Sequence, residues 1–227
     1  MNFRERMVRR SLQLAIGLLC YGIGISFMVR SALGVAPWDV LTLGIISHVP
    51  ITFGLFTMIM SGIVLLCWIP LRERPGLGTL MNATLIGPFA DLGLLFIPAS
   101  EALWVRILYL IVGIVIIGIA TGLYIGARFG PGPRDGLMTG LHRRTKLPIW
   151  ATRTSIEATV VLIGWLLGGV VGFGTLTFAL LIGPICQVFL RLFNVPLSTD
   201  VALPGAVVRP SAAAHSTALA ESADESD

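Results

Sequence analysis

Long apolar runs dominate this chain and decide what it can become. Six of them, at about residues 11–29, 53–69, 78–97, 104–125, 153–171 and 174–193, approach or reach the length of roughly 20 residues that a helix needs to cross a bilayer. Of 227 residues, 55% are hydrophobic and only 12% charged, whereas charged residues make up about a quarter of a soluble domain. Six spans leave no room for a large soluble domain. This excludes a soluble enzyme, a disulfide-stapled secreted domain and, despite a pI near 9.4, a nucleic-acid-binding module. The connections 30–52 and 126–152 are longer than the rest and hold apolar stretches, 40–47 and 136–141, too short to span; they lie in the interface or dip in and return. The basic start, Arg4, Arg6, Arg9 and Arg10, is that of a signal peptide, but the run behind it is long and lacks a small-x-small cleavage site. It reads as the first membrane helix.

Basic residues in short loops remain in the cytoplasm, so the sixteen Lys and Arg residues test the helix count. With the N-terminus inside and six crossings, fourteen fall on the cytoplasmic side and only Arg30 and Arg106 outside. The sequence therefore predicts an all-α membrane protein of six transmembrane helices with both termini cytoplasmic. Beyond the last run, Asp200, Glu221, Asp224, Glu225 and Asp227 stand against Arg209 alone, so the net charge of +4 is +8 on the body masked by an acidic end. Residues 198–227, rich in Ala and Ser with no aromatic residue, are too weakly apolar to offset their ordering entropy and read as a disordered tail.

The chain also repeats itself. The stretch GLGTLMNATLIGP at 76–88 aligns with GFGTLTFALLIGP at 172–184, nine identities in thirteen positions, and GVAPWDVLTLG at 34–44 aligns with GPGPRDGLMTG at 130–140, both at an offset of 96. Gly17 and Gly22 fall on Gly113 and Gly118 at the same offset. The repeats 11–97 and 104–193, behind a basic N-terminus at 1–10, hold three helices each. An odd number inverts the second copy, the architecture of many secondary transporters, whose sites lie at the midplane between repeats.

The best sequence pointer to such a site is a Gly/Pro-interrupted helix at matching places in both halves. Gly87 and Pro88 interrupt the third span, Gly183 and Pro184 the sixth, and one turn on stand Asp91 and Gln187. Pro88 frees the carbonyl of Thr84, which in lipid needs a partner or a polar cavity. Pro37 with Asp39 and Pro133 with Asp135 form the second matched pair. Each is what a helix start wants, a preset dihedral and a carboxylate near free N–H groups; each is also a carboxylate placed to guard a pathway mouth. Glu157 lies four residues after Arg153, a spacing for a pair on one helix face or for proton coupling. Arg106 is a candidate partner of Asp91, and Asn82 has Phe178 opposite it, so its role belongs to one half only.

Cys20, Cys67 and Cys186 sit inside apolar runs and His48, His142 and His215 have no ligand spacing, so no metal site and no cofactor are expected. No Walker loop, zinc-protease pattern or hydrolase elbow occurs, and no enzyme activity is expected. The basic loop at 128–153 sets topology and attracts anionic lipid headgroups. Glycines such as Gly113, Gly118 and Gly122 permit close helix contacts within a chain or in a homodimer.

GVAPWD at 34–39, the WIPLR exit at 68–72, and GLGTL at 76–80 with IGP at 86–88 carry a likeness: over about residues 11–193 the chain resembles the bacterial YczE/YitT-type integral membrane proteins. The resemblance implies a six-helix cytoplasmic-membrane protein. The soluble C-terminal domain of the YitT branch has no counterpart here. Two functions fit: a small secondary transporter or permease for an unidentified solute or ion, or a non-transporting membrane scaffold that regulates another protein.

Overall fold

A computed structural model describes residues 3–193, and the acidic tail expected at 198–227 lies outside the described residues. Eight helices and no strand occur among them: α1 (Phe3–Ser31), α2 (Pro37–Ile46), α3 (Phe53–Leu71), α4 (Leu77–Phe96), α5 (Leu103–Gly126), α6 (Pro133–Thr145), α7 (Ile149–Leu166) and α8 (Phe173–Phe193). Five are long and apolar enough to cross a membrane: Met7–Ser31 within α1, then α3, α4, α5 and α8. The sixth expected span corresponds to α7, which is not among the five. Arg153, Glu157 and a run of Thr and Ser make its first half polar. The two stretches too short to span are α2 and α6, each opened by a proline at the first helical position, where the missing N–H is no loss.

Lipid tails are as apolar as the helices, so helices associate only where small residues let backbones touch. Helices α1 and α5 meet in this way, with Gly24 against the Gly113 carbonyl and Gly113 against that of Gly24. They run antiparallel. Arg10, near the start of α1, donates to the carbonyls of Ala127 and Arg128 just past the end of α5, at 2.8 and 2.9 Å. Arg106, near the start of α5, donates to those of Ser31 and Ala32 at the end of α1, at 2.7 and 2.6 Å. Each guanidinium thus satisfies carbonyls that a helix end leaves free, at the end where the dipole favours a cation.

Around this central pair, α4 lies along α1 and α8 along α5. Gly22 packs on Phe89 and Ala90, the Ser26 hydroxyl donates to the Ala90 carbonyl at 2.7 Å, and Gly118 and Gly122 pack on Ile185 and Phe189. Both contacts advance in the same direction on both helices, so α1 and α4 are parallel, and so are α5 and α8. The short helices cross over. Helix α2 packs on α7 where Gly44 meets Gly164, and α6 packs on α3 where Gly136 lies on the Trp68 ring. The Trp68 indole N–H donates to the Pro133 carbonyl at 3.0 Å.

Two junctions lock these crossings. Gly34 and Gly130 have φ of 123° and 127°, a region closed to side chains. Gly34 abuts Gly172 and Thr175, and Gly130 abuts Gly76 and Thr79. Beside them the Gly78 N–H donates to the Phe129 carbonyl at 2.9 Å and the Gly174 N–H to that of Leu33 at 2.8 Å. The core centres on Leu14, Leu18, Ile25, Met28, Ile114 and Ile117, while Leu66, Leu95, Leu180 and Leu192 face outward. An apolar exterior of this kind is matched to lipid.

The prolines expected to interrupt the third and sixth spans do not do so. Helix α4 runs unbroken through Gly87 and Pro88, and α8 through Gly183 and Pro184. A proline inside a helix removes one hydrogen bond, and the neighbouring turns hold the helix together.

Candidate functional site

The first turns of α2 and α6 face each other at the centre of the molecule and their far ends diverge. The contacts establish this arrangement. The Arg134 guanidinium lies over the Trp38 ring, 5.2 Å from its centroid, and 3.7 Å from Asp39 Oδ1. The end of α2 reaches the C-terminus of α7, where the His48 ring lies 3.0 Å from the Leu167 carbonyl oxygen. The end of α6 reaches the C-terminus of α3, where Arg144 donates to the Pro70 carbonyl at 2.6 Å. Two half-helices therefore run from the middle toward opposite faces.

Between their N-termini lies a cavity of about 320 Å³. Ala36, Pro37 and Trp38 from α2 and its approach line one side, and Gly132, Pro133, Arg134 and Asp135 the other. Tyr21 of α1 and Tyr124 of α5 close one wall, their rings 6.0 Å apart edge to face. Thr57, Ser61 and Asn82 add neutral polar groups. Helices α7 and α8 contribute Arg153, Glu157, Gly183 and Gln187.

The carboxylates differ in their surroundings. Asp39 is 1% exposed, and its Oδ1 accepts no hydrogen bond although Arg134 is near. Asp135 accepts from the Tyr124 hydroxyl at 2.9 Å. Glu157 accepts from Arg153 Nε at 2.8 Å on one face of α7, the pairing that the four-residue spacing suggests. The Trp38 indole N–H is also buried without an acceptor. Unpaired buried donors and acceptors are rare, because each forfeits its hydration; here two of them lie on adjacent residues, of which Trp38 lines the cavity and Asp39 does not.

The other candidates lie elsewhere. Asp91 is outside the cavity: its Oδ1 accepts from the Gly54 N–H at the start of α3, at 2.7 Å. Arg106 is not its partner, being engaged by the end of α1. Thr84 is exposed and donates back to the Leu80 carbonyl at 2.9 Å. Gly87, Pro88 and Pro184 do not line the cavity, whereas Gly183 does. Trp38, Arg134, Tyr21 and Tyr124 were not singled out from sequence. The first two are the middle residues of the matched Pro-x-Asp motifs, a signal that was available. The tyrosines carry none, since only the α1–α5 crossing brings them to the site.

The family of unknown function DUF6198 matches residues 8–191. An uncharacterized protein of Haemophilus influenzae is 41% identical over 179 residues, covering 79% of this chain and 82% of its own. In Bacillus subtilis, the uncharacterized membrane protein YczE is 32% identical over 92% of this chain and 96% of its own, and the uncharacterized protein YyaS 30% over 78% and 90%. No solved structure matches. The five spans and the likeness to YczE make the chain a multi-pass membrane protein.

Proposed function

The chain belongs to the DUF6198 family, and on that footing we propose that it is a small secondary transporter built of two inverted halves, 11–97 and 104–193, with its solute site in the central cavity. The observation that carries this reading is the pair of half-helices whose N-termini face each other across polar side chains. Discontinuous helices ending at the midplane are how secondary transporters place positive helix ends and carbonyls around a solute without exposing them to lipid. The inversion is supported by the antiparallel course of α1 and α5, with the reciprocal clamps of Arg10 and Arg106, 96 residues apart. Helix α7 then completes six crossings, its polar half facing the cavity, and both ends lie on the cytoplasmic, Arg-rich side.

The charges set the solute class. Asp135 and Glu157 line the cavity with Arg134 and Arg153, and Asp39, which does not line it, stands 3.7 Å behind Arg134, so the group carries an excess of one negative charge. Two helix N-termini bring about half a positive charge each. The sum is near zero, which favours a compact neutral or zwitterionic solute over a monovalent ion. The uncommitted Trp38 N–H offers a donor and Asp135 an acceptor.

Purified protein in liposomes, supplied with a metabolite panel, is expected to move one such solute, and Asp135→Asn to reduce that flux at least tenfold. No flux with any solute overturns the reading. The competing role, a non-transporting scaffold, needs packed helices where this cavity lies. It would instead be recovered with one stoichiometric partner on crosslinking.

A further inference from the structure

The 96-residue offset pairs the α3–α4 seam of the first half with an α7–α8 seam in the second, and the two differ. Helices α3 and α4 are joined by a tight seam in which the Gly54 and Gly87 backbones touch; a Cβ on either would collide with the carbonyl oxygen of the other. Asp91 Oδ1 closes this seam by accepting from the Gly54 N–H at 2.7 Å. That N–H is one of the free donors in the first turn of α3, whose N-cap is Thr52, so the bond joins a carboxylate to a positive helix end.

The matching seam, between α7 and α8, is open. Gly183 stands where Gly87 does, and a Cβ there would meet nothing within 4 Å. Trp150 replaces Gly54 and is 72% exposed. Gln187 replaces Asp91 and, among the described residues, is exposed with no hydrogen-bond partner. The cavity extends into this gap, with Arg153 and Glu157 on one wall and Gln187 and Leu190 on the other.

The two seams lie toward opposite faces. Gly54 starts α3 and Asp91 lies in the last turns of α4, on the side where α1 ends; Arg153 is near the start of α7 and Leu190 near the end of α8, on the side where α1 begins. Thr57 and Ile86, one turn inward from Gly54 and one residue before Gly87, still line the cavity. The Gly54–Gly87 seam is therefore the barrier between the cavity and the far face.

We propose that these seams are the two gates of an alternating-access cycle, the Asp91–Gly54 bond latching the far gate while the α7–α8 gate stands open for solute. This rests on the transporter reading. Closure of the second gate brings the Gln187 side chain to the Trp150 N–H, the position of the Asp91 bond. It leaves a looser seam than the first, because Trp150 brings a Cβ and an indole where Gly54 has neither.

The test uses Cys186, which lines the cavity, as sole thiol in a C20S/C67S background. In oriented membrane vesicles, an impermeant maleimide is expected to label it from the face where α1 begins and not from the other. Asp91→Ala should raise far-face labelling at least tenfold, while Asp91→Asn, whose amide oxygen still accepts, should keep it near the starting level. Gly87→Ala provides a second route, since its Cβ wedges the seam without touching the carboxylate. Far-face labelling of the unaltered latch, or no change with both Asp91→Ala and Gly87→Ala, overturns the proposal. The readout needs no transport, so sided labelling without flux would sink the transporter reading and the cycle with it, and leave only the one-sided closure by the Asp91–Gly54 bond, whereas labelling from both faces would sink the latch itself.

Discussion

At the scale of residues, the molecule holds an ionic contact that is poorly compensated. Asp39 has given up water for a guanidinium at 3.7 Å and no direct hydrogen bond to Oδ1. Removing one partner of a buried pair strands the other and costs about 3–5 kcal/mol, whereas replacing both by neutral groups is close to neutral. Arg134 is 25% exposed, so Arg134→Gln should lower stability in detergent by the lower end of that range. The double change with Asp39→Asn should recover most of it. Thermal unfolding of the three proteins decides, and equal loss in single and double variants would mean that the contact carries no coupling. The matched Pro-x-Asp motifs made these carboxylates legible in the sequence. Their partners were not, because Arg134 reaches Asp39 only through the meeting of two halves.

Elements tell a similar story with different physics. Glycines that look alike in sequence have opposite roles. Gly62 in the middle of α3 has open space around it, and Gly164 of α7 has the Leu41 backbone N at 2.5 Å from where a Cβ would lie. Gly62→Ala should stabilise α3 by up to about 1 kcal/mol, the helix propensity difference. Gly164→Ala should destabilise by about 1–3 kcal/mol, the range for overpacking, or by more, since backbone cannot give way as a side chain can. Unfolding midpoints that move in the same direction would refute the α2–α7 packing. Apolar run length located α1, α3, α4, α5 and α8 directly, since period and hydropathy survive without tertiary context. It could not tell that 37–46 and 133–145 are helices turned inward, nor that α4 and α8 would continue through their prolines; both outcomes depend on neighbours that supply or spare hydrogen bonds.

The whole molecule is held at its two ends by one device used twice. Arg10 and Arg106 each bind two carbonyls of the opposite central helix, and charge-assisted hydrogen bonds contribute about 1.5–3 kcal/mol. Arg10 also lies over the Phe129 ring, 4.5 Å from its centroid. Arg106→Ala should therefore lose an amount in that range and Arg10→Ala somewhat more. Denaturation in mild detergent that finds either variant unchanged would remove the clamp from the account. Positive-inside counting gave Arg10 and Arg106 to opposite sides of the membrane but assigned them only to topology. The inverted repeat expected from the sequence already makes α1 and α5 antiparallel, but their reciprocal bonding also needs the two helices to be neighbours, which a single sequence does not display.

The crossed packing of the short helices bears on how the protein is made. Residues 11–97 are synthesised before 104–193, yet α2 rests on α7, and α3 receives α6. The first half must wait, with the Pro37 end of α2 uncovered, until the second half arrives beneath it. Maturation of the central cavity is thus a late event that joins two inserted pieces, and neither half carries its own floor.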